Sequence, residues 1–518
     1  MMETKHKEIS ISEFFEKNRH LLGYDNKSRA LLTVVKECVD NSLDAAEEAR
    51  ILPDIYVKVK EIAPEKFEIL VRDNGPGIVR QQIPKVFGKL LYGDKFHRLK
   101  QSRGEQGIGV SGAVLYAQLT TGEATEIKSS IGDGKTHYYK IKIDVKKNEP
   151  IIIEDKVIEE EKWHGVEVKF IVEGIYREHK QSILEYLKLT AVSNPHAHII
   201  FDSPSDIIEF KRGTENLPKE PKEIKPHLYG VEIGVLTRML YETRERKIVN
   251  FFIKEFTRIG RKTAKQICEK AGIDPNKKPK QLTNDEIRNI VNAVKDVKLL
   301  NPPLDCLSPM GEELMESGLK KEFNPEFVSS VTRQPAVYRG WPFQVEAALA
   351  YGGSITQSKI LRFANRVPLL YQQGECAITK SISEIDWKRY GLENEIEKEP
   401  IIILVHVASI WVPFTSESKE AIASYPVIIK EIKLAVQECL RKLSLHLSGK
   451  RKIIGMEKRR KLFEKYVDEI ANAIEELTGY KKEKVKEMLL KIIERKSTIG
   501  EKNGNGEEVE GNRSEDFR

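Results

Sequence analysis

Apolar and polar positions along the chain change their rhythm several times. From residue 10 to about 215, stretches of strict alternation such as "DIYVKVKEI", "KFEILVRDNG", "HYYKIKIDV" and "GVEVKFIV" are interleaved with stretches of helical period at 28–49 and 178–192. This predicts antiparallel strands covered on one face by helices. "LPKEPKEIKPH" (217–227) sets three prolines among charges and reads as a linker. Alternation then stops: "VLTRMLYETRERKIVNFFIKEF", "GRKTAKQICEKAG" and "TNDEIRNIVNAVKDV" predict short helices over 228–300, closed by "NPP" at 301–303. Strands return in "FQVEAALAYGG", "ILRFANRVPLLY" and "PIIILVHVASIWVPF". From Val427 to about Lys496 the pattern is helical and strongly charged. Residues 499–518 are rich in Gly, Asn and Glu and read as disordered. There is no internal repeat.

One predicted helix carries more than packing requires. In "VVKECVDNSLDAA" (34–46), projection at about 100° per residue gathers Leu31, Val35, Cys38, Val39, Ser42, Ala46 and Ala49 into one apolar arc. Lys36, Asp40, Asp44 and Glu47 lie opposite and are expected in water. Glu37 and Asn41 stand one turn apart on the shoulder between the two faces, flanked by Val34 and Ala45. A carboxylate and an amide so placed can hold a metal ion and a water beside a pocket. Taken alone, the segment reads more simply as a solvated face with a polar edge.

Composition narrows the setting. A chain of 518 residues is too long for one core and predicts about three domains. Charged residues at 32 %, hydrophobic ones at 40 % and a net charge of +7 suit a soluble intracellular protein. The first residues, "MMETKHKEIS", lack the apolar core of a signal peptide, and no stretch of some eighteen apolar residues predicts a membrane span. The 5 cysteines lie far apart without a C-x-x-C pair, which argues against a disulfide framework or a structural zinc site. Charge is unevenly spread: residues 219–298 hold 19 Lys and Arg against 11 Asp and Glu, an excess of 8 beside the whole chain's +7. A basic helical module predicts either an anionic polymer as partner or a soluble spacer.

Two glycine-rich segments add candidate chemistry. "VRDNGPGI" (71–78) ends a strand in Asp73 and two glycines, a turn that lets backbone approach a flat ligand, or an ordinary D-N-G hairpin. In "SRGEQGIGVSGAVLYAQL" (102–119), Gly104, Gly107, Gly109 and Gly112 feed a helix expected to start near Val110, exposing backbone N–H groups to an anion. It is neither a P-loop nor a Rossmann turn. "TRIGRKTAKQI" places Arg258, Arg261 and Lys262 around Gly260 at a helix start, a geometry able to grip phosphate or simply a spacer. "DWKRYG" (386–391) is expected at a strand edge, with Trp387 and Tyr390 beside Lys388 and Arg389.

Together, an E-x-x-x-N helix, a D-x-G-x-G turn some thirty residues on and a G-x-x-G-x-G lid beyond it resemble the Bergerat, or GHKL, ATPase superfamily. This resemblance implies roles residue by residue. Glu37 would be the general base for water attack on the γ-phosphate, and Asn41 a ligand of Mg²⁺ bridging the phosphates. Asp73 would bind the adenine amino group, with Gly77 lining the adenine pocket. The lid residues Gly104, Glu105, Gln106, Gly107, Ile108, Gly109, Val110 and Ser111 would close over the phosphates. Phosphoryl transfer suits such a site, because it needs an oriented water and neutralised charge more than covalent help.

The resemblance narrows further. "ISEFFEKNRHLLGYDNKSRALLTVVKECVDNSLDAA", "FGKLLYGDKF", "KNEPIII", "ILRFANRVPLLY" and "DWKRYG" are similar to the B subunits of type IIB DNA topoisomerases, over about residues 8–445. The fold implied is α+β and multidomain: a Bergerat α/β sandwich ATPase domain with an N-terminal strap over 1–227, then an all-helical helix-two-turns-helix domain over 228–305. An S5-like α/β transducer with long C-terminal helices would follow over 306–498, then the tail. Asp94 and Lys95 would also sit at the nucleotide, and Lys419 in "SESKEAIA" would reach its γ-phosphate from the transducer. ATP and Mg²⁺ are the implied cofactors. The implied partners are a separate DNA-cleaving A subunit in an A2B2 heterotetramer, a second copy of the ATPase chain joined on ATP binding, and double-stranded DNA. No membrane is implied, and the setting is cytoplasmic and nucleoid-associated. The chain departs from the pattern at Ser111, where many relatives have Lys, and at Val166, where Thr is common. It contains no D-x-D acid pair, and none of its 17 tyrosines sits in a nucleophile setting, so cleavage is expected elsewhere. The alternatives are a MutL-like repair ATPase, expected to lack the 228–300 module, and a nucleic-acid scaffold without catalysis.

Overall fold

The computed structural model describes residues 9–93, 99–104, 107–159, 163–178, 180–393, 396–416 and 418–491. Asp94, Lys95, Glu105 and Gln106, and the tail at 499–518, lie outside the described residues.

The alternating segments form one sheet. α1 (Ile11–Lys17) and α2 (Lys27–Glu48) precede β1 (Asp54–Ala63) and β2 (Lys66–Asp73). α3 (Ile83–Gly88), α4 (Gly109–Thr121), β3 (Thr125–Ile131), β4 (Thr136–Asp144), β5 (Glu149–Ile158) and β6 (His164–Glu173) follow. α5 (Ile183–Ser193), β7 (His198–Asp202) and β8 (Ile207–Phe210) complete it. The strands run in the order β5-β4-β3-β6-β2-β1-β7-β8, antiparallel except where β1 lies parallel to β7. The central strands turn alternate residues inward, as Ile55, Val57 and Val59 do on β1 and Phe67, Ile69 and Val71 on β2. These meet Leu31, Val35 and Val39 of α2, Val114 of α4 and Tyr186 and Leu187 of α5 in a single core. α5 starts five residues later than its apolar pattern predicts, because the Ser182 side chain caps it by accepting from the Glu185 N–H.

The basic block is all helix: α6 (Ile233–Glu242), α7 (Ile248–Glu255), α8 (Arg261–Ala271) and α9 (Asn284–Asp296), with their own core around Phe251, Phe252, Ile267 and Ile290. A Thr283–Glu286 capping box opens α9. A second mixed sheet follows α10 (Glu312–Phe323): β9 (Phe327–Thr332), β10 (Ala336–Tyr338), β11 (Trp341–Tyr351), β12 (Lys359–Ala364), β13 (Val367–Pro368) and, after α11 (Ala377–Ser383), β14 (Ile401–Ser409). β14 pairs antiparallel with β11 and parallel with β12, and all nine of its residues are buried, which explains its unbroken apolar sequence. Leu189 and Val192 of α5 share a core with Met315 and Leu319 of α10 and with this sheet.

The chain divides into two compact units, residues 1–385 with 397–439, and residues 386–396 with 440–518. In the second, "DWKRYG" is not a strand edge. Trp387–Tyr390 form a 3-10 turn that buries Trp387 and Tyr390 and leaves Lys388 and Arg389 exposed. Arg451 donates to the Gly391 carbonyl at 2.7 Å. α12 (Pro426–Thr478) ends sooner than the charged helical pattern predicts, because Gly479 takes a left-handed φ of 73° before a further helical stretch at 482–491.

Candidate functional site

α2 places five acids in just over three turns, and four of them are engaged. Asp40 accepts a 2.8 Å hydrogen bond from the Tyr186 hydroxyl. Asp44 and Glu47 hold the Arg103 guanidinium at 2.8 Å and 2.6 Å, and Glu48 pairs with Lys100 at 3.5 Å. Among the described residues Glu37 has no partner, nor does the side chain of Asn41 one turn on. Both line a cavity of about 390 Å³ between α2, the sheet and α4.

The expectation that Asp40 and Asp44 face water is therefore corrected. They are 7 % and 6 % exposed, covered by α5 and by the segment before α4. Burial pushes the Asp40 carboxyl up to about 6. Burial would raise Glu47 too, but the Arg103 guanidinium, His196 and Arg366 outweigh it and hold that carboxyl well below the usual range.

At the far wall Asp73 ends β2. Its carboxylate accepts from the Ser42 hydroxyl at 2.7 Å, the Gly75 N–H at 2.9 Å and the Val166 N–H at 3.0 Å. Burial raises its pKa against these donors. Val71, Ile78, Val166 and Val168 give the wall beside it a flat apolar lining. Gly77, φ 70°, brings the turn so close to β3 that a Cβ there would stand 2.1 Å from the Ser130 carbonyl oxygen. No other residue fits.

α4 begins at Gly109, close to the expected Val110, and its first turn has no side-chain cap. Among the described residues no side chain caps the N–H groups of that turn, and Gly104, Gly107, Ile108, Gly109, Val110 and Ser111 line the cavity. The Glu37 carboxylate occupies the space of a missing side chain: a Cβ on Gly109 would lie 1.9 Å from Glu37 Oε2. Ser111 is buried and donates to the Ile108 carbonyl.

Lys419 comes to the same cavity from the loop after β14, with Ser418 and Glu420. Its ammonium donates to the Arg103 carbonyl at 3.0 Å. The structure thus brings together Glu37, Asn41, Asp73, Gly77, the described lid residues and Lys419.

Sequence reasoning missed the residues that hold these parts. Arg103 fastens the segment before α4 to α2 and also reaches Asn194 at 2.6 Å. Asn365, from the turn after β12, donates to the Ser102 carbonyl at 3.0 Å. Arg366 beside it accepts at its backbone carbonyl from Ser193, donates its N–H to His406, and through His406 adjoins the fully buried Glu346. No local spacing signals these pairs.

A sandwich of helices over an antiparallel sheet, with a deep slot between α2 and α4, is the ATPase fold of the histidine kinase, DNA gyrase B and HSP90 class. The model for "Histidine kinase-, DNA gyrase B-, and HSP90-like ATPase" matches residues 26–147. The model for "Topoisomerase VI B subunit, transducer" matches residues 302–460, which contain the second sheet. The B subunit of type 2 DNA topoisomerase 6 from Archaeoglobus fulgidus is 50 % identical over 460 residues, covering 87 % of this chain and 76 % of that protein. Its counterpart from Pyrococcus furiosus is 42 % identical over 551 aligned positions, covering 97 % of each. The chain belongs to this family, the B subunits of type 2 DNA topoisomerase 6.

Proposed function

We propose that the chain is the ATP-hydrolysing subunit of a type IIB DNA topoisomerase. The observation that carries this reading is Glu37: the one acid of α2 without a partner among the described residues faces the cavity against the first turn of α4. With ATP bound, adenine lies along Val71, Ile78 and Val168 with its amino group on Asp73. The phosphates lie at the N-terminus of α4. Glu37 takes a proton from water as the water oxygen bonds to the γ-phosphorus and the β–γ bridge bond breaks, releasing ADP and phosphate.

Mg²⁺ fits the residues present. Asn41 offers an amide oxygen with no partner among the described residues at the cavity wall, and this ion takes few protein oxygens while keeping substrate phosphates and waters. When bound, it neutralises phosphate charge. Lys419 leaves the Arg103 carbonyl for the γ-phosphate, which suits a point charge on a flexible stem.

The remaining parts of the reading concern DNA. Two such chains close on ATP around a duplex, while a separate A subunit, in an A2B2 assembly, makes and reseals the break. Arg258, Arg261 and Lys262 are exposed at the start of α8 and are the candidates for phosphate contact in the helical block. Among the described residues no helix is long and apolar enough to cross a membrane. The test is ATP hydrolysis by the purified chain with and without duplex DNA, and ATP-dependent relaxation of supercoiled plasmid once the DNA-cleaving partner is added. A chain that hydrolyses no ATP under either condition overturns the reading.

A further inference from the structure

Lys419 sits in an awkward place. It is a non-glycine residue with a left-handed φ of 54°, in a loop that has left its own sheet to stand at a cavity built by α2 and α4. Such a conformation persists only where neighbours over-determine it. The neighbours on both sides of Lys419 are held by one side chain. Arg29, near the start of α2, donates to Glu420 Oε1 through Nε at 2.6 Å, and its Nη2 lies 2.5 Å from the same oxygen and donates to the Ser418 hydroxyl at 3.1 Å. Its Nη1 pairs with Asp25, and the guanidinium lies 5.4 Å from the Tyr371 ring centroid. Lys36 adds a weaker contact, 3.4 Å to the Ser418 carbonyl. Arg29 itself does not line the cavity, whereas Ser418, Lys419 and Glu420 do.

We propose that Arg29 is a positioning residue for ATP hydrolysis: by gripping Glu420 and Ser418 it fixes the loop that presents Lys419 to the phosphates. The inference rests on the reading of the cavity as an ATP site.

Charge supports the same assignment. Glu420 is 6 % exposed, and its Oε2 is buried without a hydrogen-bond partner among the described residues. Leaving such a carboxylate buried and unpaired is costly, and Arg29 compensates its charge within the loop as well as holding it. Planar, two-point donation is what guanidinium supplies and ammonium does not, so lysine cannot replace it.

The test is a double-mutant cycle on the full chain, reading kcat and KM for ATP and the affinity for ADP. Arg29→Ala is expected to lower kcat on the order of 10²-fold, the scale of a displaced catalytic group. ADP affinity should stay within about twofold. Arg29→Lys should recover little. With Lys419→Ala already present, adding Arg29→Ala should change kcat by less than about twofold, because there is no lysine left to position. Effects that multiply in the double variant overturn the proposal. So does a rise in KM and ADP dissociation at unchanged kcat, the mark of direct nucleotide contact or of plain loss of structure. Should Arg29→Ala fail to fold, Glu420→Gln preserves side-chain volume and carries the same cycle. A parent chain that hydrolyses no ATP overturns the ATP-site reading and this inference with it. A hydrolysing parent with additive variants overturns the inference alone.

Discussion

The Lys419 ammonium rests on the carbonyl oxygen of Arg103, 3.0 Å away and 316 positions earlier in the chain. The lysine of one sheet's loop and the residue just before the other sheet's lid thus share a hydrogen bond. If a γ-phosphate takes that lysine, the bond to Arg103 breaks, so nucleotide state and the contact between the two sheets are coupled. Lys419→Ala is expected to cut hydrolysis strongly while ADP binds as in the parent. Small-angle scattering with a non-hydrolysable ATP analogue should show the parent compacting and the variant unchanged. A variant that closes and turns over like the parent makes Lys419 a surface lysine.

Glu37→Ala should retain nucleotide binding and lose hydrolysis. The wall at Asp73 and the N-terminus of α4 stay intact, while a general base is worth about 10²–10⁴-fold. Steady-state turnover within about tenfold of the parent would remove the assignment. Asn41→Ala should instead weaken binding of the Mg²⁺–nucleotide complex, seen by titration with and without the ion.

Asp40 gives a stability signature. Its folded pKa, about 6, lies above the unfolded value of about 3.9, so the native state holds its proton more tightly. Stability present below pH of about 4 is therefore lost as pH rises to about 6. Asp40→Asn keeps an acceptor for the Tyr186 hydroxyl and carries no charge. It should stabilise the chain at pH 7 by on the order of 1–3 kcal/mol and by little at pH 4. Urea midpoints at the two pH values measure this, and an equal gain at both would contradict it.

Charge reversal at Arg261 and Lys262 should weaken duplex binding and flatten its dependence on log salt, since fewer counterions are released. Identical slopes in parent and variant would leave the helical block as a spacer.

The parts of the cavity read most clearly in sequence are those written in short-range spacing. Glu37 and Asn41 are legible as an i, i+4 pair, Gly77 as part of a glycine-rich turn after a strand, and the lid as glycines before a helix. What escaped notice depends on partners far away in the chain. Asp40 looks solvent-facing on a helical wheel, because nothing near it announces Tyr186, 146 residues on. Arg29 and Glu420 are 391 residues apart and carry no pattern. Gly479 is visible as a glycine in a helical stretch, but glycine within helices is tolerated often enough that the break could not be fixed from spacing.

The parallel pairing of β1 with β7 joins Asp54 to His198, so the first sheet has both its edges once synthesis passes Phe210. Lys419 lies about two hundred residues further on. At roughly 5–20 residues per second, a ribosome needs about 10 to 40 s to cover that distance. For that interval the nascent chain holds Glu37, Asn41 and Asp73 without the lysine. On the proposed reading, a nascent chain in that interval would take up nucleotide without hydrolysing it.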